Sequence, residues 1–126
     1  MARALLDQWI DAVNRCDPKA VAALYHPRAQ FWGTLAATLR QDPAGIVDYF
    51  RQFLACGQMQ ATLIDVHCLP FAGLILAAGD YGFSWRSAPE LDLTQARARF
   101  SFVLTEQDGR WLILQHHSSE SVPDGL

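Results

Sequence analysis

The chain has 126 residues, 51% of them apolar, and a net charge of −3 with histidine neutral. That length fits one domain, residues 1–126, whose single core needs neither disulfides nor a metal. The acidic balance argues against a nucleic-acid surface, which requires a basic excess. Cys16, Cys56 and Cys68 are odd in number and show no C-x-x-C spacing, so they read as small buried hydrophobes in a reducing, cytoplasmic setting. No continuous apolar leader follows Arg3. The longest apolar run, residues 69–78, is interrupted by Pro70 and Gly73 and is too short to cross a bilayer, so no membrane partner is expected.

Leu5, Leu6, Trp9, Ile10 and Val13 recur at three- and four-residue steps and predict an amphipathic helix with Asp7, Asp11 and Arg15 on its wet side. Asp17-Pro18 is a cap followed by proline at the first helical position, and predicts a short second helix carrying Val21, Leu24 and Tyr25 until His26-Pro27 stops it. Residues 30–40 are β-like but irregular. Asp42-Pro43 repeats the cap signal ahead of a third helix with Ile46, Val47, Phe50, Phe53 and Leu54 on its buried stripe and Gly57 as its stop. Four strands are predicted next, over 60–69, 74–85, 95–105 and 110–118, with 106–109 as the last turn and 120–126 as a loose tail. Helices first and consecutive strands later indicate an α+β fold, a curved antiparallel sheet packed on three N-terminal helices.

The last hairpin carries the chemistry. A four-residue turn would set Arg99 opposite His116, and a two-residue Asp108-Gly109 turn would set Arg99 opposite Ser118 and Ser101 opposite His116. Either turn puts Arg97, Arg99, Ser101, His116 and Ser118 on one face, with Ala98, Phe100, Phe102, Ile113 and His117 on the other. Arginines in a partly desolvated site need an acceptor: a carboxylate such as Asp80, or a bound anion. Adjacent His116 and His117 point to opposite sides and cannot chelate one metal, and no third ligand stands at a recognisable spacing, so no metal is expected. No G-x-G-x-x-G or P-loop occurs, and no cofactor is expected.

Several stretches together carry a family resemblance: Asp17-Pro18 with Leu24-Tyr25, Phe31-Trp32-Gly33-Thr34, Tyr49-Phe50, Gly79-Asp80-Tyr81-Gly82-Phe83, Arg99-Phe100-Ser101-Phe102, and Asp108-Gly109-Arg110-Trp111 running into His116-His117-Ser118-Ser119. The chain resembles the SnoaL-like and SgcJ/EcaC-type proteins of the nuclear-transport-factor-2-like superfamily. Within it, the chain is similar to bacterial relatives of the calcium/calmodulin-dependent protein kinase II association domain. The resemblance implies a cone-shaped sheet with an internal pocket, and a homodimer formed through the outer sheet face. It also implies an arginine-lined pocket, with Arg99 as the one counterpart here and Ser118 where the kinase domain has an arginine, so the kinase ring is not expected.

The site that follows has Arg99, Ser101 and Ser118 at its polar end, and Trp32, Tyr49, Phe50 and Tyr81 as its apolar wall. Its expected ligand is a small, partly apolar anion, such as a carboxylate. An isomerase- or cyclase-type enzyme, with His116 or Asp80 moving protons, is the alternative; a non-catalytic assembly module is the third.

Overall fold

A computed structural model describes residues 2–56 and 58–126, without the Cys56 side chain. The predicted stop at Gly57 and the expected burial of Cys56 therefore lie outside the described residues. Helix α1, Ala2–Asn14, buries Leu5, Leu6, Trp9 and Val13, as its spacing requires. Both aspartate–proline signals act as helix starts. Asp17 accepts from the Ala20 N–H at 3.1 Å to open α2, Pro18–Ala22, and Asp42 accepts from the Gly45 N–H at 2.7 Å to open α3, Pro43–Phe53. A short 3₁₀ turn, Leu54–Cys56, follows.

The second helix is shorter than its apolar pattern suggests. It ends at Ala22, and strand β1, Tyr25–Trp32, begins where the helix was expected to continue. The Leu24 carbonyl is claimed by the Ile113 N–H at 2.9 Å, so sheet pairing overrides the helical pattern. Pro27 is tolerated because β1 is an edge strand with a register break between Tyr25 and Gln30.

The remaining strands are β2, Gln60–Phe71, β3, Leu74–Trp85, β4, Thr94–Gln107, and β5, Arg110–Glu120. The sheet order is β1-β5-β4-β3-β2. The three pairs among the four later strands are antiparallel, as expected, and β1 adds a parallel edge beside β5 that makes the sheet mixed. The chain travels through α3 and three strands between β1 and β5, so no tight turn dictates their relative direction.

Ala72-Gly73 and Asp108-Gly109 close the two long hairpins, with all four residues at positive φ. Bulges bend the sheet around the helices: β2 shifts register between Leu63 and Asp65, and β5 carries the extra residue Leu114. At the first bulge a Cβ on Gly79 would lie 2.0 Å from the Asp65 carbonyl oxygen, so only glycine fits. The Asn14 side chain ties α1 to the start of β2, accepting from the Ala61 N–H at 2.5 Å and donating to its carbonyl at 3.1 Å.

One apolar core joins the inner sheet face to α1 and α3, with Trp9, Phe31, Phe50, Tyr81 and Phe102 among its aromatic members. Cys16 and Cys68, expected to be buried, are both exposed. Cys16 occupies a left-handed turn position just after α1, at φ 53°, and Cys68 lies near the β2–β3 turn.

Candidate functional site

The β4–β5 hairpin takes the two-residue turn, pairing Gln107 with Arg110 and Leu104 with Ile113. The bulge at Leu114 then shifts the phase: Phe102 pairs with His116, Phe100 with Ser118 and Arg99 with Ser119. His116 and Ser118 do share the inner face, but with Ala98, Phe100 and Phe102 in place of the expected arginines. Arg97, Arg99 and Ser101 are exposed on the outer face, which corrects the predicted grouping. Arg99 Nε donates to the Ser119 hydroxyl at 3.1 Å. Arg97 Nε donates to Asp80 at 2.9 Å, and a second guanidinium nitrogen closes on the same carboxylate oxygen. Asp80 neighbours the inward-facing Tyr81 in the strand and so faces the opposite way from His116.

Around His116, which is 1% exposed, the structure builds a dry polar cluster. Its Nδ1 lies 2.7 Å from the Tyr25 hydroxyl and its Nε2 lies 3.0 Å from the Tyr81 hydroxyl. Tyr25 also accepts from the Trp9 indole N–H at 3.1 Å. Tyr81 donates to Ser118 at 2.6 Å, and Ser118 and Thr34 share a hydroxyl–hydroxyl bond of 2.6 Å. The imidazole stacks on Phe102 and Phe31, with ring centroids 3.9 and 4.8 Å away. Burial pushes the His116 pKa well below its ordinary value, and His117 adds to the effect, so the ring is neutral. Burial also raises the Tyr25 and Tyr81 hydroxyls, with the Ser118 bond opposing the shift at Tyr81, so both stay protonated.

Two spaces adjoin this cluster. The inner one, among Tyr49, Phe50, Tyr81 and His116, measures about 10 Å³ and holds a single water at most. The outer one is a cleft of about 400 Å³. Trp32, Leu35, Phe53, Phe83 and Trp85 form its apolar walls, and Arg97, His117, Ser119 and Glu120 its polar rim. Thr34 and Ser118 line both spaces and separate them. The 33–40 segment that forms one lip is held by backbone bonds between Phe31 and Arg40 at 2.8 and 2.9 Å, and by Arg40 donating to the Gly45 carbonyl at 3.0 Å. Gly33 lets the Tyr49 ring lie against the lip, since a Cβ there would come within 2.3 Å of it; the Tyr49 hydroxyl accepts from the Leu35 N–H at 3.3 Å.

Of the residues predicted for the site, Tyr49, Phe50, Tyr81, His116 and Ser118 converge on the inner space, and Trp32 lies in the cleft wall. Arg99, Ser101 and Asp80 lie on the other side of the sheet. Trp9, Tyr25, Thr34 and Arg97 were not among them. The first two read as apolar stripe residues, and only their long-range bonds, across 91 positions for Tyr25 and His116, bring out their polar atoms. Thr34 had a signal: it closes the Phe31-Trp32-Gly33-Thr34 stretch quoted for the resemblance. Among the described residues no three His, Cys, Asp or Glu side chains cluster as a metal site, and no helix is long and apolar enough to cross a membrane.

Similarity to known proteins agrees with this architecture. Among solved structures, the chain is similar to a Xanthomonas campestris protein provisionally described as a calcium/calmodulin-dependent protein kinase II association domain. The identity is 29% and the TM-score 0.87, covering 98% of this chain and 87% of that one. It is similar to an uncharacterised protein with a cystatin-like fold from Caulobacter vibrioides, at 19% identity and TM-score 0.81, covering 97% and 88%. It is also similar to a nuclear-transport-factor-2-like superfamily protein from Salmonella enterica, at 14% identity and TM-score 0.82, covering 98% and 90%. The last two likenesses concern the fold alone. None of the curated proteins matches the chain. The family model for the SnoaL-like domain matches residues 2–124, nearly the whole length over which helices and curved sheet enclose the histidine cluster, and the chain belongs to that family.

Proposed function

We propose that this protein is a single-domain small-molecule-binding protein whose ligand, a small and partly apolar anion such as a carboxylate, seats in the outer cleft. The observation that carries the reading is the cleft itself: about 400 Å³, walled by two tryptophans and a phenylalanine pair, with Thr34 and Ser118 between it and the histidine cluster and Arg97 among its lining residues. Arg97 replaces Arg99 as the cation of the site. Its guanidinium pairs with Asp80 on the outer sheet face, and its side chain, 60% exposed, keeps N–H donors free to turn to a ligand at the rim.

Titration with naphthoate tests the reading. Trp32 and Trp85 fluorescence should be quenched and the melting temperature should rise, with Arg97→Gln weakening both. Absence of quenching and of any thermal shift at millimolar naphthoate would sink it.

An acid–base enzyme is the second reading, favoured by the chain of hydroxyls that links neutral His116 to the cleft. His116 would move the proton, since Asp80 is engaged with Arg97 on the opposite face. Solvent deuterium appearing in a bound methyl ketone, and lost in His116→Gln, would support it; exchange at the uncatalysed rate would remove it.

A homodimer in a reducing cytoplasm completes the proposal. Leu69, Phe71 and Leu76, which are exposed side chains of the outer sheet face, favour a partner copy there. Sedimentation of the intact chain checks this.

A further inference from the structure

The hydrogen-bond chain through His116 has one direction in which each hydrogen before Thr34 finds an acceptor. An indole N–H can only donate, so at 3.1 Å the Tyr25 oxygen must accept from Trp9. The Tyr25 proton then goes to the one remaining partner, His116 Nδ1 at 2.7 Å. A neutral imidazole that accepts at Nδ1 carries its hydrogen on Nε2, which donates to Tyr81 at 3.0 Å. Tyr81 passes its proton to Ser118, and Ser118 passes its own to Thr34. Every donor is spent in sequence until Thr34, whose hydroxyl hydrogen has no side-chain acceptor among the described residues and which is itself a lining residue of the cleft. A second proton on His116 would leave the Tyr25 hydroxyl hydrogen facing two donors, so the network holds the ring neutral as well as oriented.

We infer that Trp9 fixes the tautomer of His116 and thereby makes Thr34 a hydrogen-bond donor at the cleft floor, so that the cleft selects ligands presenting a carbonyl or carboxylate oxygen at that point. The inference rests on the cleft being the binding site. Aligned hydrogen bonds polarise one another, so the terminal Thr34 hydroxyl is a better donor than an isolated one. Trp9 and His116 act here as positioning residues, and Thr34 is the group that touches the ligand.

Two measurements test it. Imidazole nitrogen chemical shifts of the intact protein should show His116 protonated at Nε2 only, and Trp9→Phe should give a mixture of tautomers. Protonation at Nδ1 in the natural chain, or a Trp9→Phe variant with unchanged shifts, overturns the lock. The second measurement does not depend on Trp9→Phe folding. Methyl naphthyl ketone should bind about tenfold more tightly than its isopropenyl isostere, which has the same shape but no acceptor. Thr34→Val should abolish that preference and Thr34→Ser should keep it. Equal binding of the two probes by the natural chain overturns the inference while leaving the cleft as a binding site. Failure of both to bind overturns this inference, and failure of naphthoate as well overturns the cleft reading with it.

Discussion

The two faces of the β3–β4–β5 sheet end carry polar clusters built from neighbouring residues of the same strands, and they are assembled on opposite principles. The outer one is wet and charged: Arg97 pairs with Asp80, and Arg99 donates to Ser119. The inner one is dry and neutral: His116, Ser118, Tyr81 and Tyr25 exchange hydrogen bonds with no formal charge among them. Water screens and solvates the outer charges at little cost, whereas a charge on the inner side would have to be stripped of solvent. Polar chemistry can thus reach the core of this small domain in uncharged form.

Moving a charge across the sheet breaks the comparison most strongly. Ser118→Asp should cost about 3–5 kcal/mol in urea unfolding because the carboxylate is buried without a cation, while Ser119→Asp beside Arg99 should change stability by less than about 0.5 kcal/mol. Next in size, His116→Leu leaves the Tyr25 hydroxyl hydrogen without its acceptor and removes a donor from Tyr81, and should cost about 2–4 kcal/mol; Tyr25→Phe combined with it should recover part of that loss, which a double-mutant cycle measures.

Acid sharpens the contrast further. Below about pH 6.5 the unfolded imidazole takes up a proton that the buried ring does not, so the native state loses stability as pH falls, levelling off only below its depressed native pKa. Melting temperatures between pH 7 and 5 should therefore fall by up to about 1.4 kcal/mol equivalent per pH unit from this one group, and His116→Gln should flatten that slope. The smallest effect belongs outside: Arg97→Ala should cost about 0–1 kcal/mol, and salt should shrink the difference.

Much of this architecture was legible in the sequence because it depends on local rules. Asp17-Pro18 and Asp42-Pro43 open helices, and Asp108-Gly109 takes the positive φ angles that a two-residue hairpin demands. What was not legible is the phase of β4 against β5. One extra residue, Leu114, keeps both Ile113 and His116 on the inner side and so turns Phe100 and Phe102 inward and Arg99 and Ser101 outward. Alternation applied from the turn onward has no local cue for that insertion. The deciding factor is tertiary: Ala98, Phe100, Phe102 and Leu104 of β4 join the apolar core that holds Trp9 and Phe31, and arginines would not. Likewise Tyr25 and Trp9 carry the helical spacing of core residues, and their polar atoms matter only once distant strands close around them.

The doubled letters of His116-His117-Ser118-Ser119 have a consequence for how this strand tolerates change. If β5 slid by one position to absorb the Leu114 bulge, His117 and Ser119 would turn inward in place of His116 and Ser118. An imidazole and a hydroxyl would still face the interior, one residue further along the strand. The segment is a redundant code, written so that a single-residue slip leaves the same message inside. A change in this chain that removed the bulge would therefore leave the interior its polar pair.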